Sequence, residues 1–190
     1  WENMEFSSHE TYLTAENETP LKVKGVVTHV CPAKEGAVNY YIQNGNQGFY
    51  VYAQDAATFP VEVGKVYEVG GFKKNYRGLC EIVDVEYFNE LNEKIVGDVE
   101  FLGNVDPTNV EAMNEYHTSF VSGRAKFESV EVSAKAYNFY ATLNGQSATF
   151  RVDPAYMTTE EFATISAMLS AAIEGIEFDF VGLVTAFGYG

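Results

Sequence analysis

The sequence predicts an all-β protein built from two similar five-stranded units, with one or two short helices. Three observations support this prediction. Aromatic and β-branched residues form short runs separated by Gly, Asn-Gly and Asp/Pro clusters, which is typical of strands joined by tight turns. The arrangement of the first unit recurs about a hundred residues later. Apolar residues make up 46% of the 190 positions, which is enough for a packed core.

Five strands are predicted in the first unit, at positions 22–30, 38–43, 48–53, 66–73 and 79–88. Asn44-Gly45 follows the second strand and favours a tight hairpin, because both residue types tolerate positive φ. Three repeated motifs indicate the same arrangement in the second unit. The matches are Val23-Lys24-Gly25 with Val121-Ser122-Gly123, Asn39-Tyr40-Tyr41 with Asn138-Phe139-Tyr140, and Asn44-Gly45 with Asn144-Gly145.

Residues 158–174 are an insertion in the second unit and form the strongest helix pattern of the chain. Thr158 and Glu161 have the spacing of a capping box, and Gly175 is placed to end the helix. One helical face is apolar and is expected to be buried. It comprises Phe162, Ile165, Met168, Leu169, Ala172 and Ile173.

These patterns divide the chain into four segments. Residues 1–20 are a lead-in, 21–91 the first domain, 92–117 a linker with a short strand and helix, and 118–190 the second domain. The helix of the linker is expected after Asp106-Pro107, since proline is favoured in a first turn. The sequence ends where the fifth strand of the second domain is due. Either the chain is truncated, or residues 95–102 or the N-terminal segment supply this strand, or the assumed register is wrong.

Five short strands, with a helix between the third and fourth, follow the order of an OB-fold. This fold is a small Greek-key barrel that binds ligands on the face of strands two and three and on the adjoining loops. The sequence therefore predicts two tandem OB-fold-like barrels, the second of which carries the helix between strands three and four.

The first unit also resembles a known group of domains. The motifs are VKGVVT at 23–28, YYIQNG at 40–45, GFYVY at 48–52, VGKVYEVGG at 63–71 and YRGL at 76–79. They are similar to the accessory OB-fold domains of exported bacterial proteins, including secreted nucleases and gut-bacterial surface lipoproteins. The resemblance implies a non-catalytic domain located outside the cell, at its surface or in the periplasm. Asn44 replaces the Asp that this group usually carries, a change that bears on turn geometry.

Strand alternation in the first unit indicates a candidate ligand-binding face. It places Tyr41, Gln43, Tyr50 and Tyr52 on the outer side of the second and third strands. Three tyrosines there form a stacking platform for a base or a sugar ring. The alternative is that these side chains pack against the other unit or the lead-in, since aromatic cross-strand pairs stabilise sheets without any ligand.

A second candidate lies between the fourth and fifth strands, where Lys73, Lys74, Tyr76 and Arg77 form the only local basic cluster of the sequence. In an OB-fold this loop borders the binding groove, which suits contacts to phosphate or carboxylate. The alternative is a solvated turn whose charge offsets the acidic surface.

The net charge of −15 opposes approach to nucleic acid or to an anionic membrane. No apolar run of the sequence is long enough to span a membrane. We therefore interpret the chain as a non-catalytic binding or interaction module with an oligosaccharide or a protein as its partner. Single-stranded nucleic acid bound on the OB face is an alternative, and a pure docking or spacer role is another.

No catalytic or metal-binding motif is found in the sequence, and no cofactor is expected. His9, His29 and His117 fall in no metal or triad spacing. Asp84, Glu86 and Glu90 are spaced like one strand face and its exit, which suits a weak calcium site, but they lie in no EF-hand loop and solvation is the simpler interpretation. The 48 residues between the two cysteines, at positions 31 and 80, leave both a disulfide and free thiols open.

Overall fold

The computed structural model of the protein describes residues 1–55, 57–132 and 136–186. Most of the regular structure in these residues is β-strand. The elements, in chain order, are α1 (His9–Thr14), β1 (Pro20–Val30), β2 (Val38–Asn44), β3 (Gln47–Ala53), β4 (Val66–Tyr76), β5 (Leu79–Leu91), β6 (Glu100–Phe101), α2 (Val110–Asn114), β7 (Phe120–Val132), β8 (Tyr137–Leu143), β9 (Gln146–Val152), α3 (Thr159–Ala171) and β10 (Glu177–Leu183). A single 3-10 turn, Pro154–Tyr156, precedes α3.

The chain forms two compact units that are not continuous in sequence. The first contains Trp1–Glu100, Tyr116–Phe120 and the described residues from Leu183 onward, and the second contains Phe101–Glu115 and Val121–Gly182. The expected lead-in, residues 1–20, thus belongs to the first unit. Residues 92–117, the expected linker, contribute to both.

The five strands of the first unit form a closed barrel in the order β1-β2-β3-β5-β4. Neighbouring strands are antiparallel except β3 and β5, which pair in parallel with Val51 opposite Ile82. The hairpin between β2 and β3 turns at Gly45, whose φ is 59°. Each observed strand begins and ends within three residues of its predicted bounds. The OB-fold-like, all-β architecture predicted from the sequence is confirmed.

The barrel core is built by alternate residues of the strands, as the pleat of a strand requires. Tyr40, Ile42 and Val51 are fully buried in it. They are joined by Tyr12 of α1, a helix that the sequence patterns did not predict. Ser8 caps this helix by accepting a hydrogen bond from the Thr11 amide at 3.0 Å, which satisfies one of the amides that a helix start leaves open.

The second unit is a five-stranded sheet in which β10, β7, β8 and β9 lie side by side and β6 also pairs with β7. The two-residue β6 is therefore the fifth strand, and it falls within residues 95–102. Helix α3 lies between β9 and β10, as predicted, and Thr158 and Glu161 form the predicted capping box.

The apolar face of α3 is narrower than predicted. Leu169 is buried against Phe127 and Val152, and Phe162 and Ile165 pack beside it. Met168 and Ile173 are exposed instead. Met168 lies one residue from Leu169 and so points about 100° away on the helix, while Ile173 lies beyond the helix end at Ala172.

Cys31 and Cys80 are both buried and free, so they form no disulfide with each other. Burial raises the pKa of the Cys31 thiol to about 12, which keeps it protonated at neutral pH. Within the described part of the chain, no helix is long and apolar enough to cross a membrane.

Candidate functional site

The expected tyrosine platform on β2 and β3 is not an exposed surface. Tyr41, Gln43 and Tyr50 are only 1%, 1% and 3% exposed, and Tyr52 is half-buried. This corrects the expectation that they form an open stacking face. The rings of Tyr41 and Tyr50 pack on each other, with centroids 4.8 Å apart.

Two distant chain segments cover this face of the barrel. Phe120 packs its ring at 6.2 Å from that of Tyr41, and its backbone amide donates a hydrogen bond to Oε1 of Gln43 at 3.0 Å. Nε2 of Gln43 donates to the carbonyl of Asp98. Alternation correctly separates these side chains from the barrel interior, but a period of two cannot show what covers the outer side.

The hairpin between β4 and β5 carries an exposed group of three side chains, Lys74, Tyr76 and Arg77, called here the hairpin cluster. Tyr76 is 49% exposed. Nζ of Lys74 and Cζ of Arg77 each lie 5.5 Å from the centroid of its ring. An exposed aromatic ring can stack on a planar ring, and the two cations beside it can contact an anion attached to that planar ring.

The turn holds the cluster in a defined shape. Arg77 and Gly78 both have positive φ, at 53° and 91°, as a two-residue hairpin of this type requires. The Gly78 amide donates to Oδ1 of Asn75 at 2.8 Å, and the Asn75 amide donates to Oδ1 of Asn17 at 2.7 Å. The aromatic and cationic side chains therefore project from a hydrogen-bonded turn.

Lys73, the fourth predicted member, does not belong to the cluster. It is only 2% exposed, and its Nζ donates to the carbonyls of Tyr12 and Leu13 at the end of α1 and to Sγ of Cys80 at 3.0 Å. Successive side chains of a strand point to opposite faces, so Lys73 points away from Lys74 and is covered by α1. Its charge is used to bind helix carbonyls, so the prediction of a ligand contact for Lys73 is wrong.

A buried polar network in the first unit brings together residues that the sequence patterns left apart. Nε2 of His9 lies 3.0 Å from the carbonyl of Gly48 and 3.2 Å from that of His117. Nε2 of His117 accepts a hydrogen bond from the Cys80 amide at 3.0 Å. Because both histidines are bonded to backbone groups, they hold chain segments together and form no nucleophile and base pair.

Tyr12 is the centre of the same network. Its hydroxyl donates to the Cys80 carbonyl at 2.8 Å, lies 3.0 Å from Oγ1 of Thr118 and accepts from the Tyr50 amide at 3.2 Å.

No motif spacing could have joined His9 to His117, which are 108 residues apart. The local signal that could have revealed α1 is Ser8, a favoured N-cap residue type.

Burial lowers the pKa of the two histidines in this region and raises the pKa of a carboxyl group. It lowers the pKa of His117 to about 4, with nearby Lys73 and His9 adding to the effect, and it also lowers the pKa of His9. It raises the pKa of Glu81 to about 7, although Lys74 acts against this shift. At neutral pH the two histidines are uncharged, while the Glu81 carboxyl is partly protonated.

These shifts predict that the unfolding free energy depends on pH, and that this dependence is larger in Glu81→Gln than in the wild type. His117 binds fewer protons in the folded than in the unfolded state, so its contribution is present above about pH 6.5 and is lost as the pH falls toward 4. Glu81 has the opposite sign, because its folded pKa is raised. Without Glu81, the unfolding free energy should fall by about 2 kcal/mol between pH 7 and pH 5.

Urea denaturation at both pH values measures this difference, and the wild type should show a smaller fall because its two groups compensate. An unfolding free energy of Glu81→Gln that stays constant or rises on acidification would contradict the assignment.

A cleft of about 210 Å³ also lies in the first unit, between the chain that precedes α1 and the β2–β3 hairpin. Its lining is mixed: two phenylalanines, two serines, two side-chain amides, one histidine and one lysine. None of these residues was a candidate from the sequence.

The described residues contain no group of His, Cys, Asp or Glu that could hold a metal ion. The three acids considered for calcium have separate partners. Asp84 accepts from Gln54 at 2.7 Å, Glu86 accepts from the Trp1 indole at 3.2 Å, and Glu90 lies 3.4 Å from Lys65.

No protein-family model matches the chain, and no curated protein matches it. Among solved structures, fission yeast Pot1 with ssDNA is 12% identical, with 98% of this chain and 85% of that chain covered and a TM-score of 0.43. The S. pombe Stn1-Ten1 complex is 16% identical, with 39% of this chain covered and a TM-score of 0.35. The aspartyl tRNA synthetase from Entamoeba histolytica is 12% identical, with 58% of this chain covered and a TM-score of 0.41. The chain spans 59% of the Stn1-Ten1 chain and 24% of the synthetase.

Proposed function

We propose that this chain is an OB-fold binding module that takes single-stranded nucleic acid on the hairpin cluster of Lys74, Tyr76 and Arg77. The observation that supports this most is the half-exposed ring of Tyr76 with two cationic groups 5.5 Å from its centroid. The loop between the fourth and fifth strands is one of the two loops with which OB-folds bind oligonucleotides and oligosaccharides.

The chemistry of the cluster favours a nucleotide over a neutral sugar. A base stacked on an aromatic side chain contributes about 1–3 kcal/mol, and the stacking tolerates any base. The ammonium of Lys74 and the guanidinium of Arg77 suit the phosphate next to that base. A neutral saccharide would use the ring but would gain little from the positive charge beside it.

The net charge of −15 limits the mode of binding. Long-range repulsion disfavours a strand that wraps the protein, whereas two cations on one turn contact only one or two phosphates. The buried carboxyl of Glu81, which is paired in register with Lys74, is partly protonated near pH 7 and therefore weakens the cluster less than an ionised acid would. We expect a short contact with a shallow dependence on salt.

Fluorescence anisotropy with a labelled oligothymidylate at several salt concentrations tests this function. For two phosphate contacts, the slope of log K against log salt should be near −1.4, at about −0.7 per phosphate for a single strand. Tyr76→Ala should weaken binding about tenfold or more, because a stacking contact is lost. Lys74→Gln should weaken binding and reduce the magnitude of the slope by about 0.7.

The matched control is Lys94→Gln, which removes the same charge from an exposed lysine outside the cluster. It should leave the affinity nearly unchanged. The proposal fails if the wild type binds no oligonucleotide at low salt, or if Lys94→Gln weakens binding as much as Lys74→Gln does. Absence of oligonucleotide binding would favour a docking or spacer role with a protein partner.

We also propose that the module belongs to an exported bacterial protein, which is supported by the motif resemblance of the first unit alone. Fractionation of the cells that make it, followed by digestion of intact cells with added protease, tests this location. Recovery of the protein only in the cytosolic fraction would refute it.

A further inference from the structure

The cleft before α1 shares no residue with the hairpin cluster and has a different chemistry. We propose that it binds a neutral, hydroxyl-bearing ring, the size of one pyranose residue of a saccharide. Its main lining residues are Phe6, His9, Lys24, Asn44, Gln47 and Phe49.

The size of the cleft limits its ligand. Its volume of about 210 Å³ is below the range of roughly 300–1,000 Å³ that holds drug-sized molecules. One sugar ring, free or at the end of a longer chain, matches this space better than a nucleotide with its base, sugar and phosphate.

The charges at the cleft are balanced, which favours a neutral ligand. Nζ of Lys24 is paired with Oε1 of Glu93 at 2.9 Å. His9 is uncharged at neutral pH because burial lowers its pKa. No unpaired cation among the described lining residues is available to a phosphate or a carboxylate.

The aromatic part of the cleft is supplied by Phe6, a residue that is 44% exposed. The ammonium groups of Lys22 and Lys24 lie 5.0 Å and 5.1 Å from the centroid of its ring. They hold the ring in place by cation–π attraction. An exposed aromatic ring with a fixed orientation can pack against the C–H face of a sugar, which is apolar although its edge carries hydroxyls.

The polar part of the site consists of side-chain groups that form no hydrogen bond with any residue the structure describes. Because Nε2 of His9 donates to a backbone carbonyl, Nδ1 of the neutral ring is an acceptor, and it bonds to none of the residues that the structure describes. The side-chain amides of Asn44 and Gln47 likewise form no hydrogen bond within the described ranges, and both are exposed. One acceptor and two amides, each both donor and acceptor, match adjacent hydroxyls of a sugar.

The two serines at the cleft are already bonded, so they shape it and are not counted as ligand contacts. Oγ of Ser7 accepts from the Lys22 amide at 3.2 Å, and Oγ of Ser8 accepts from the Thr11 amide at 3.0 Å. The rings of Phe49 and His9 pack in a T-shaped geometry at a centroid distance of 5.4 Å, which restricts the orientation of the imidazole.

Saturation-transfer NMR of the full chain tests the site, with the methyl glycosides of glucose, galactose and mannose as probes. At least one should receive saturation and shift the amide resonances of Asn44 and Gln47. Gln47→Ala should weaken that binding at least tenfold, and Phe6→Leu should abolish the transfer to the sugar C–H protons. Gln146→Ala, which removes an exposed glutamine at the corresponding position of the β8–β9 hairpin, should leave binding unchanged.

Two further measurements separate this site from the proposed nucleic-acid function. Tyr76→Ala should leave glycoside binding unchanged, and oligothymidylate should not compete with the glycoside. The proposal is overturned if none of the three glycosides binds, if Gln47→Ala binds as well as the wild type, or if inorganic phosphate shifts the same amides as strongly as the sugar does.

Discussion

Gly48→Ala is expected to lower the unfolding free energy by about 3 kcal/mol or more. A Cβ at this position would lie 2.3 Å from the carbonyl oxygen of Thr118 and 2.7 Å from Cα of Ser119. Both are backbone atoms, so no side-chain rotation relieves the clash. The same glycine donates its amide to Oγ of Ser119 at 2.7 Å, and the displacement would weaken that bond as well. Urea denaturation followed by tryptophan fluorescence measures the loss.

Gly182→Ala is the matched control, because it makes the same chemical change at the end of a strand where the nearest atom to the new Cβ is 4.0 Å away. Its effect should stay within about 0.5 kcal/mol. Equal unfolding midpoints for the two variants would contradict the prediction, because they would mean that the Thr118 backbone lies far enough from Gly48 to admit a Cβ.

Tyr12→Phe is expected to lower the unfolding free energy by about 3 kcal/mol, although it removes a single oxygen. The change leaves the Tyr50 amide and the Cys80 carbonyl without that buried partner, and unsatisfied buried groups keep the full penalty of their desolvation. The variant should still fold, because the ring and its contact with Phe49 at 5.1 Å remain. The measurement is again urea denaturation at neutral pH.

Tyr52→Phe is the control for this variant. Tyr52 lies on β3, is half-buried, and its hydroxyl forms no hydrogen bond with any residue in the described ranges. Loss of its hydroxyl should change the stability by less than about 0.5 kcal/mol. A Tyr12→Phe variant as stable as Tyr52→Phe would mean that the hydroxyl of Tyr12 does not hold the network together.

The barrel strands could be predicted from the sequence because their signals are local. Alternation of apolar and polar residues indicates the strands, and Asn44-Gly45 and other glycines indicate the turns between them. Each of these signals lies within a few neighbouring residues. The same locality explains why Lys74, Tyr76 and Arg77 could be placed at the exposed β4–β5 hairpin. Thr158 and Glu161 predicted the start of α3 because a capping box lies within one helical turn.

The parts that could not be predicted depend on contacts between distant residues. Gln43 and Phe120 are 77 positions apart, and His9 and His117 are 108 positions apart. No periodicity links such pairs, so the sequence left packing of the tyrosines as an alternative without identifying Phe120, and it did not show the buried network. Lys73 was misplaced for the same reason, since the helix carbonyls that bind it belong to an element of only six residues.

The division of the first unit into separate chain segments has a consequence for its synthesis. Translation is vectorial, so all five barrel strands leave the ribosome before Tyr116–Phe120 and the described residues from Leu183 onward, which belong to the same unit. Until then, Tyr41 and Gln43 lack their contacts with Phe120, and His9 lacks the carbonyl of His117 as a partner. We therefore expect the nascent barrel to expose this face, and to be prone to aggregation, until the intervening residues have been synthesised.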